Sequence, residues 1–205
     1  MRRPAFIARQ SGRPDGFLGR LLLGVMARET ARFNAEVLDA LKPTAGEHVL
    51  ELGYGHGRTL ATAALRAPGV RLAGIDVAPT AAHAAARRCR AEIEAGRLDL
   101  RTGDGAALPW SDAVFDAAFS VHTLYFWSDP SRQLAELRRV LRPGGRLILG
   151  YREPSDAVVA AFPAPTYRFR ATDEVVELMA SAGFHATDAR LAACGSDLRI
   201  ASATA

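Results

Sequence analysis

The stretch VLELGYGHG, residues 49–57, joins a short apolar run to three glycines placed at every second position. The run has the length of a strand, and the glycines let backbone N–H groups approach a ligand with no Cβ in the way. A dinucleotide-binding fold needs the pattern G-x-G-x-x-G, and Arg58 stands where its third glycine would be. The spacing alone therefore indicates either a strand end that a nucleotide-like ligand can approach or a plain strand-to-helix turn.

Apolar runs of strand length alternate with helical stretches from residue 48 onward. Strands are predicted over 48–52, 71–76, 98–102, 115–121, 146–151, 187–193 and 198–203. Helices are predicted over 59–65, 80–95, 130–141 and 173–182. Such alternation predicts an α/β domain with a largely parallel sheet covered by helices. In open sheets of this type ligands bind beyond the carboxyl ends of the strands.

Two acids follow the second and third predicted strands. Asp76 ends the second strand, and its two carboxylate oxygens can accept hydrogen bonds from two vicinal ribose hydroxyls. An Asp just before Pro79 can instead cap a helix. Asp104, followed by Gly105, comes after the third strand, although Asp-Gly is also a common turn dipeptide. These positions favour a nucleoside ligand and leave the structural alternatives open.

Residues 49–57 resemble motif I of the class I S-adenosylmethionine (SAM)-dependent methyltransferases, in which an acid precedes the G-x-G-x-G loop. The segments GIDVA, GDGAALP, FDAAFS and LRPGGRL, which begin at residues 74, 103, 115 and 141, are similar to later motifs of that family in the same order. The resemblance covers about residues 47–151, with a weaker match at 182–184. It is closest to the small bacterial group that includes the UbiE-type enzymes, described as methyltransferase type 11.

The resemblance implies a Rossmann-like, mostly parallel seven-stranded sheet in the order 3-2-1-4-5-7-6, with the last strand antiparallel and helices on both faces. It implies SAM as cofactor, S-adenosylhomocysteine (SAH) as product, and transfer of a methyl group to an O, N or C atom of a small molecule. In that family the acid at Glu51 organises the methionine end, the acid at Asp76 holds the ribose, and the acid at Asp104 takes the adenine amino group. The predicted cofactor contacts are Glu51, Gly53, Tyr54, Gly55, Gly57, Asp76, Val77, Asp104, Gly105, Ala106, Ser120 and Val121.

The acceptor side is predicted around the end of the fourth strand. His122 is a candidate general base because an imidazole titrates near neutral pH, and the alternative is that it only shapes the pocket or packs. The loop over 162–169 is predicted to be a lid, and its aromatic residues indicate a flat or apolar acceptor or simply stabilise the loop. The predicted pocket residues are Met26, Phe33, Tyr125, Trp127 and Tyr167. Since no acid ends the fourth strand, we expect no metal.

The net charge of +4 comes almost entirely from arginines spread along the chain, which argues against a nucleic-acid partner. A flexible basic arm is predicted over 1–16, a helical cap over 17–45 and the methyltransferase domain over 46–205. Cys89 and Cys194 stand alone, without the spacing of a zinc site or a disulfide framework, so we expect a cytoplasmic protein. We also expect a bacterial source, and a monomer or homodimer.

Three alternatives stay open at this point. The first helices are amphipathic and carry arginines, which is compatible with binding to a membrane surface and with a phospholipid-directed N-methyltransferase. A catalytically silent SAM-binding module would keep the glycine loop and Asp76 but lack an acceptor pocket. A nicotinamide-dependent oxidoreductase would use an acid like Asp76 in the same way, and the glycine spacing argues against it.

Overall fold

Strands and helices alternate along the chain in the computed structural model, which describes residues 30–162 and 166–205. The strands are β1 (His48–Leu52), β2 (Arg71–Asp76), β3 (Leu98–Thr102), β4 (Phe115–Val121), β5 (Leu141–Arg152), β6 (His185–Leu191) and β7 (Leu198–Thr204). The helices are α1 (Ala31–Leu41), α2 (Arg58–Arg66), α3 (Pro79–Arg88), α4 (Arg90–Glu94), α5 (Pro130–Val140), α6 (Asp156–Ala161) and α7 (Thr172–Ser181). A 3₁₀ turn, Leu124–Phe126, follows β4.

The seven strands form one sheet in the order β3-β2-β1-β4-β5-β7-β6, as predicted. The first five of these strands run parallel, and β7 runs antiparallel to both β5 and β6. Strand β1 is central, since Glu51 lies opposite Gly74 of β2 on one side and Phe119 of β4 on the other. The carboxyl ends of β1 to β4 therefore meet at one edge of the sheet, where the predicted cofactor residues converge.

The hydrophobic core lies in two layers, one on each face of the sheet. Helices α1, α2 and α3 cover one face, and α5 and α7 cover the other. Alternate side chains of a strand point to opposite faces, so Val49 packs in the first layer and its neighbour Leu50 in the second. Burial on both faces explains why β1, β2 and β4 are nearly continuous apolar runs.

Several predicted bounds shift by one or two residues, as in β6, and helix α6 was not predicted; two further elements differ more. The helix predicted over 80–95 is interrupted at Cys89, whose Sγ packs against the glycine loop and hydrogen-bonds the Gly57 carbonyl (3.4 Å). Strand β5 begins at Leu141, five residues before the predicted start, because the Pro-Gly-Gly segment is part of an irregular pairing with β4. There the register shifts between the pairs Phe115–Leu141 and Ala117–Arg146.

Helix α1 is the described part of the predicted cap. Its buried stripe, Phe33, Val37, Leu38 and Leu41, packs on β4 and β5, and Gly150 of β5 permits the close approach. The predicted arm over 1–16, the remainder of the cap over 17–29, and with it Met26, lie outside the described residues. None of the described helices is long and apolar enough to cross a membrane.

Candidate functional site

The glycine loop between β1 and α2 adopts a conformation that favours glycine at three positions. The φ angles of Gly53, Gly55 and Gly57 are +82°, +52° and +75°. The Gly53 N–H donates to the Ile75 carbonyl (2.8 Å), which ties the start of the loop to β2. A Cβ added to Gly53 would overlap the side chain of Thr123, so the loop is pressed against the segment that follows β4.

Substitution of Gly53 should lower the free energy of unfolding more than substitution of a glycine that has a similar φ angle but no close neighbours. Gly53→Ala is expected to lower the free energy of unfolding by about 2–4 kcal/mol, from left-handed backbone strain plus overpacking against Thr123. Gly46 has a φ of +86° and nothing within 4 Å of an added Cβ, so Gly46→Ala should cost only about 1 kcal/mol. Urea denaturation measures both, and equal losses would show that the loop is not packed against Thr123.

Asp76 ends β2 and holds the glycine loop from the side. Its Oδ2 accepts a hydrogen bond from the Gly55 N–H (2.8 Å), and its Oδ1 accepts one from the Ala78 N–H (2.9 Å). Each carboxylate oxygen can accept more than one hydrogen bond, so both oxygens can still accept a hydrogen bond from a ligand. Asp76, which is predicted to bind the ribose, therefore also organises the loop. The neighbouring residue Val77 is 40 % exposed.

Glu51 is buried at the end of β1, with only 2 % of its surface exposed. The Thr59 hydroxyl and the Leu60 N–H hydrogen-bond its carboxyl group, while Oε2 has no partner. Burial and the nearby Asp76 carboxylate raise the pKa of Glu51 well above its usual value. A buried acceptor without a donor is costly, so Oε2 is placed for a cationic or N–H-bearing group of a ligand.

Asn34 of α1 extends this cluster, and the sequence analysis did not identify it. Its Nδ2 donates to the Thr59 hydroxyl oxygen (2.9 Å), and its buried Oδ1 has no partner. Thr59 thus links two side chains, Asn34 and Glu51, that each carry an unpartnered acceptor. In α1, Asn34 precedes Val37, Leu38 and Leu41 at the spacing of the buried face. A polar residue on the otherwise apolar face of α1 is the sequence feature that could have identified Asn34.

The residues at this edge of the sheet fit SAM. Glu51 and Asn34 offer acceptors for an ammonium group, and Asp76 offers acceptors for two hydroxyls. Two neighbouring carboxyl groups make the cleft acidic, and a ligand carrying a sulfonium and an ammonium charge would favour their ionised forms.

SAM binding should depend on pH through Glu51. Because the pKa of Glu51 is raised, the free protein holds a proton there that a cationic ligand would displace, so SAM affinity should increase as pH rises through the acidic range. Calorimetry in buffers of different ionisation enthalpy should detect the released proton.

Stability should change in the opposite direction. A carboxyl whose pKa is higher in the folded than in the unfolded chain destabilises the fold as pH rises between those two values. Glu51→Gln should therefore raise the melting temperature of the free protein at neutral pH and weaken the pH dependence of SAM binding; Asp76, whose pKa burial also raises, would account for the remainder. Glu47→Gln is the matched control, since Arg146 lowers the pKa of Glu47 and its loss should destabilise without affecting SAM. A Glu51→Gln protein that is less stable at neutral pH would contradict this assignment.

The predicted adenine end lies beyond β3. Asp104 is exposed, and its Oδ1 accepts the Ala106 N–H (3.0 Å) in a tight turn. Gly105 is buried against Leu52, whose Cδ1 would lie 2.5 Å from an added Cβ. This turn therefore packs against the end of β1, and the Asp104 carboxylate is accessible next to the cleft.

The end of β4 lies against the glycine loop. The Ser120 hydroxyl donates to the Leu52 carbonyl (2.7 Å), and it also hydrogen-bonds the Thr123 hydroxyl. Ser120 and Val121 are buried. The side chain of Ser120 thus joins β4 to β1, and its contact with the cofactor stays a prediction.

His122 has a φ of +59°, in the left-handed region that non-glycine residues rarely adopt. Its N–H donates to the Gly150 carbonyl (2.8 Å), its ring packs on Phe33 with centroids 5.0 Å apart, and its Nδ1 lies 2.5 Å from the Tyr125 hydroxyl. Strained residues that are fixed from several sides cluster at functional sites. The structure thus brings the candidate base together with two of the predicted pocket residues.

Two other predicted side chains are turned elsewhere. Tyr54 is buried, its hydroxyl donates to the Arg101 carbonyl (3.1 Å), and its ring lies close to Gly74. Only the Tyr54 backbone is then left to approach a cofactor. Trp127 is buried in the core layer below the 3₁₀ turn.

Within the described ranges, no group of three His, Cys, Asp or Glu side chains is placed to hold a metal ion.

A family model described as a methyltransferase domain matches residues 50–149, which span β1 to β5. Residues 50–149 thus form a methyltransferase domain of the class I SAM-dependent type. This methyltransferase is 36 % identical over 118 residues to an O-methyltransferase of Pyrenophora dematioidea, across 58 % of this chain and 44 % of that protein. It is 37 % identical over 116 residues to the ubiquinone/menaquinone biosynthesis C-methyltransferase UbiE of Paracoccus denitrificans, across 55 % of this chain and 45 % of that protein.

The chain spans less than half the length of these two curated relatives. Among solved structures, a SAM-dependent methyltransferase from Aquifex aeolicus superposes with a TM-score of 0.71 at 20 % identity, covering 87 % of this chain and 92 % of that one. The fold of the methyltransferase is therefore matched along most of its length.

Proposed function

We propose that this methyltransferase transfers the methyl group of SAM to a small molecule, a reaction of class EC 2.1.1. The observation that carries the proposal is the juxtaposition of an acidic glycine-loop cleft with a second, aromatic pocket. Thr123 touches Gly53, and its neighbour His122 lines that pocket. A cofactor site and an acceptor site would thus adjoin at the carboxyl ends of β1 and β4.

SAM supplies an electrophilic methyl group when it is bound. The residues of the chain then have two tasks, to align the acceptor with that group and to remove a proton where the acceptor needs it. Glu51 and Asn34 would hold the ammonium end, Asp76 the ribose and Asp104 the adenine. Because Asp76 also binds the Gly55 N–H, binding of the ribose and the shape of the loop are coupled.

We assign the general-base role to His122 and a positioning role to Tyr125. When Nδ1–H of His122 donates to the Tyr125 hydroxyl, the proton stays on Nδ1 and Nε2 keeps its lone pair. The contact with Phe33 and the bond from the His122 N–H to Gly150 fix the ring. An imidazole held in this way can take a proton from an acceptor hydroxyl.

Oxygen is the acceptor atom that we favour. A proton-accepting imidazole is useful when a hydroxyl is methylated, and the relative from Pyrenophora dematioidea is named an O-methyltransferase. The relative from Paracoccus denitrificans is named a C-methyltransferase, so carbon is the second candidate atom.

A silent SAM-binding module is the main alternative, and the aromatic pocket argues against it. Such a module would have no space beside the cofactor, whereas the pocket next to His122 has a volume of about 170 Å³. A phospholipid-directed enzyme would involve the helices predicted before residue 30, which lie outside the described residues. Co-sedimentation with liposomes tests that alternative, and recovery only in the supernatant would count against it.

The proposal also covers the cellular location, the partners and the oligomeric state of the protein. We infer a bacterial cytoplasmic enzyme, since Cys89 and Cys194 are free thiols in the structure and the sequence offers no disulfide framework. We infer a small-molecule substrate, no nucleic-acid partner, and a monomer or homodimer.

A small-molecule screen with SAH release as readout tests the proposed function. The expected result is SAM-dependent release of SAH with at least one hydroxylated acceptor, and its loss in Asp76→Ala. Tight SAM binding without turnover on any acceptor class would favour the silent module. Enhanced NADH fluorescence on mixing, in the absence of SAM binding, would instead favour an oxidoreductase.

A further inference from the structure

The pocket beyond β4 is small and mostly aromatic. It is lined by Phe33, His122, Tyr125, Phe162 and Tyr167, together with Thr30, two arginines, Cys194 and Leu198. Its volume of about 170 Å³ is close to that of a cavity that accommodates benzene, about 150 Å³. The pocket therefore has room for one six-membered ring with small substituents.

The aromatic walls support one another. The ring centroid of Tyr167 lies 5.8 Å from that of Tyr125, 4.9 Å from that of Phe162 and 5.7 Å from that of Phe169, with which it is stacked. These separations are typical of favourable aromatic pairs. Because each ring is packed against the next, the pocket is a preformed site with flat walls, suited to a planar ligand.

Two polar features lie within these walls. The first is the pair formed by His122 and the Tyr125 hydroxyl. The second is the hydroxyl of Tyr167, a residue only 6 % exposed; this hydroxyl is buried and has no hydrogen-bond partner among the described residues. A buried hydroxyl without a partner is unfavourable, so a ligand that supplies a hydrogen bond there would be stabilised.

The charge in the pocket is nearly balanced. Arg152 forms an ion pair with Asp197, and its guanidinium lies 5.6 Å from the centre of the Phe162 ring. Arg32 is exposed. The pocket therefore does not select for a strongly charged group beside His122.

We propose that the acceptor is a monocyclic phenol that carries a second hydrogen-bonding substituent, with its reactive hydroxyl at His122 and the second group at Tyr167. This inference rests on the proposed function and gives it a substrate class. The phenol hydroxyl loses its proton to Nε2 of His122, and a lone pair of the oxygen forms the new O–CH₃ bond. The electron pair of the broken S–CH₃ bond stays on the sulfur, which gives SAH, and the imidazolium proton passes to solvent.

The test compares the three isomers of dihydroxybenzene with phenol, anisole and a naphthol, using the full chain, SAM and SAH release. At least one dihydroxybenzene should be methylated, with a KM about three- to tenfold below that of phenol, as expected for one added hydrogen bond. Anisole, which has no hydroxyl, should be inactive.

Tyr167→Phe should raise the KM for the best dihydroxybenzene about three- to tenfold, to the level of the KM for phenol. Tyr151→Phe is the matched control, because Tyr151 is a buried tyrosine outside the pocket whose hydroxyl bonds Thr172 (3.3 Å). It should change neither KM.

The outcomes separate this inference from the proposed function. If SAM binds but the enzyme methylates only aliphatic or bicyclic acceptors, the substrate class is wrong and the proposed function stands. The same conclusion follows if Tyr167→Phe raises the KM of phenol and dihydroxybenzene equally. If SAM does not bind, both fail.

Discussion

Asp76→Ala is expected to weaken SAM binding about ten- to a hundredfold. A hydrogen bond to a charged carboxylate contributes about 1.5–3 kcal/mol, and each 1.4 kcal/mol corresponds to about tenfold in Kd. The structure adds a second reason, because the same carboxylate accepts the N–H groups of Gly55 and Ala78. Loss of these bonds would also disorder the loop, so the effect should reach the upper part of this range. Calorimetric titration measures it.

Asp112→Ala is a suitable control, since Asp112 pairs only with Arg139 among the described residues and its side chain is largely exposed. That variant should bind SAM with unchanged affinity. Asp76→Asn should fall between the two, because an amide keeps one acceptor and loses the other. If Asp76→Ala binds SAM as tightly as the unmodified protein, the ribose does not lie at the end of β2.

His122→Asn should lower kcat by about a hundred- to ten-thousandfold, the usual contribution of a general base, and leave SAM affinity unchanged. Asparagine is the appropriate replacement because it tolerates the left-handed backbone that His122 adopts. Rate measurements at saturating SAM, together with a calorimetric SAM titration of the variant, check both.

His185→Asn provides the matched control, because His185 is exposed at the start of the edge strand β6. Tyr125→Phe should give a smaller loss than His122→Asn, since it removes the partner of Nδ1 but keeps the base. An equal and small effect of all three substitutions would mean that His122 shapes the pocket and takes no proton.

The sheet was predictable because its strands are buried on both faces. The bounds of β1 to β4 agree with the sequence prediction, since continuous apolar runs between turn residues define them. The bound of β5 was wrong because the sequence reads Pro143-Gly144-Gly145 as a turn, whereas the backbone pairs irregularly across it. Local pattern cannot reveal such pairing, which depends on the neighbouring strand.

The site was predictable where the backbone dictates the residue type. Gly53 and Asp76 follow strand ends that the topology brings together, and their chemistry is specific. Asn34 was missed because it reaches the loop from a helix distant in sequence, through Thr59. The hydrogen bond from the Ser120 hydroxyl to the Leu52 carbonyl could not be predicted either, because it depends on the packing of β4 against β1.

The central claim is that the acidic cleft around Glu51 and Asp76 binds SAM. Calorimetric titration of the full chain with SAM, together with a thermal-shift measurement, tests it most directly. We predict saturable binding at one site per chain and a higher melting temperature with SAM. The absence of both heat and thermal shift at millimolar SAM would contradict the account.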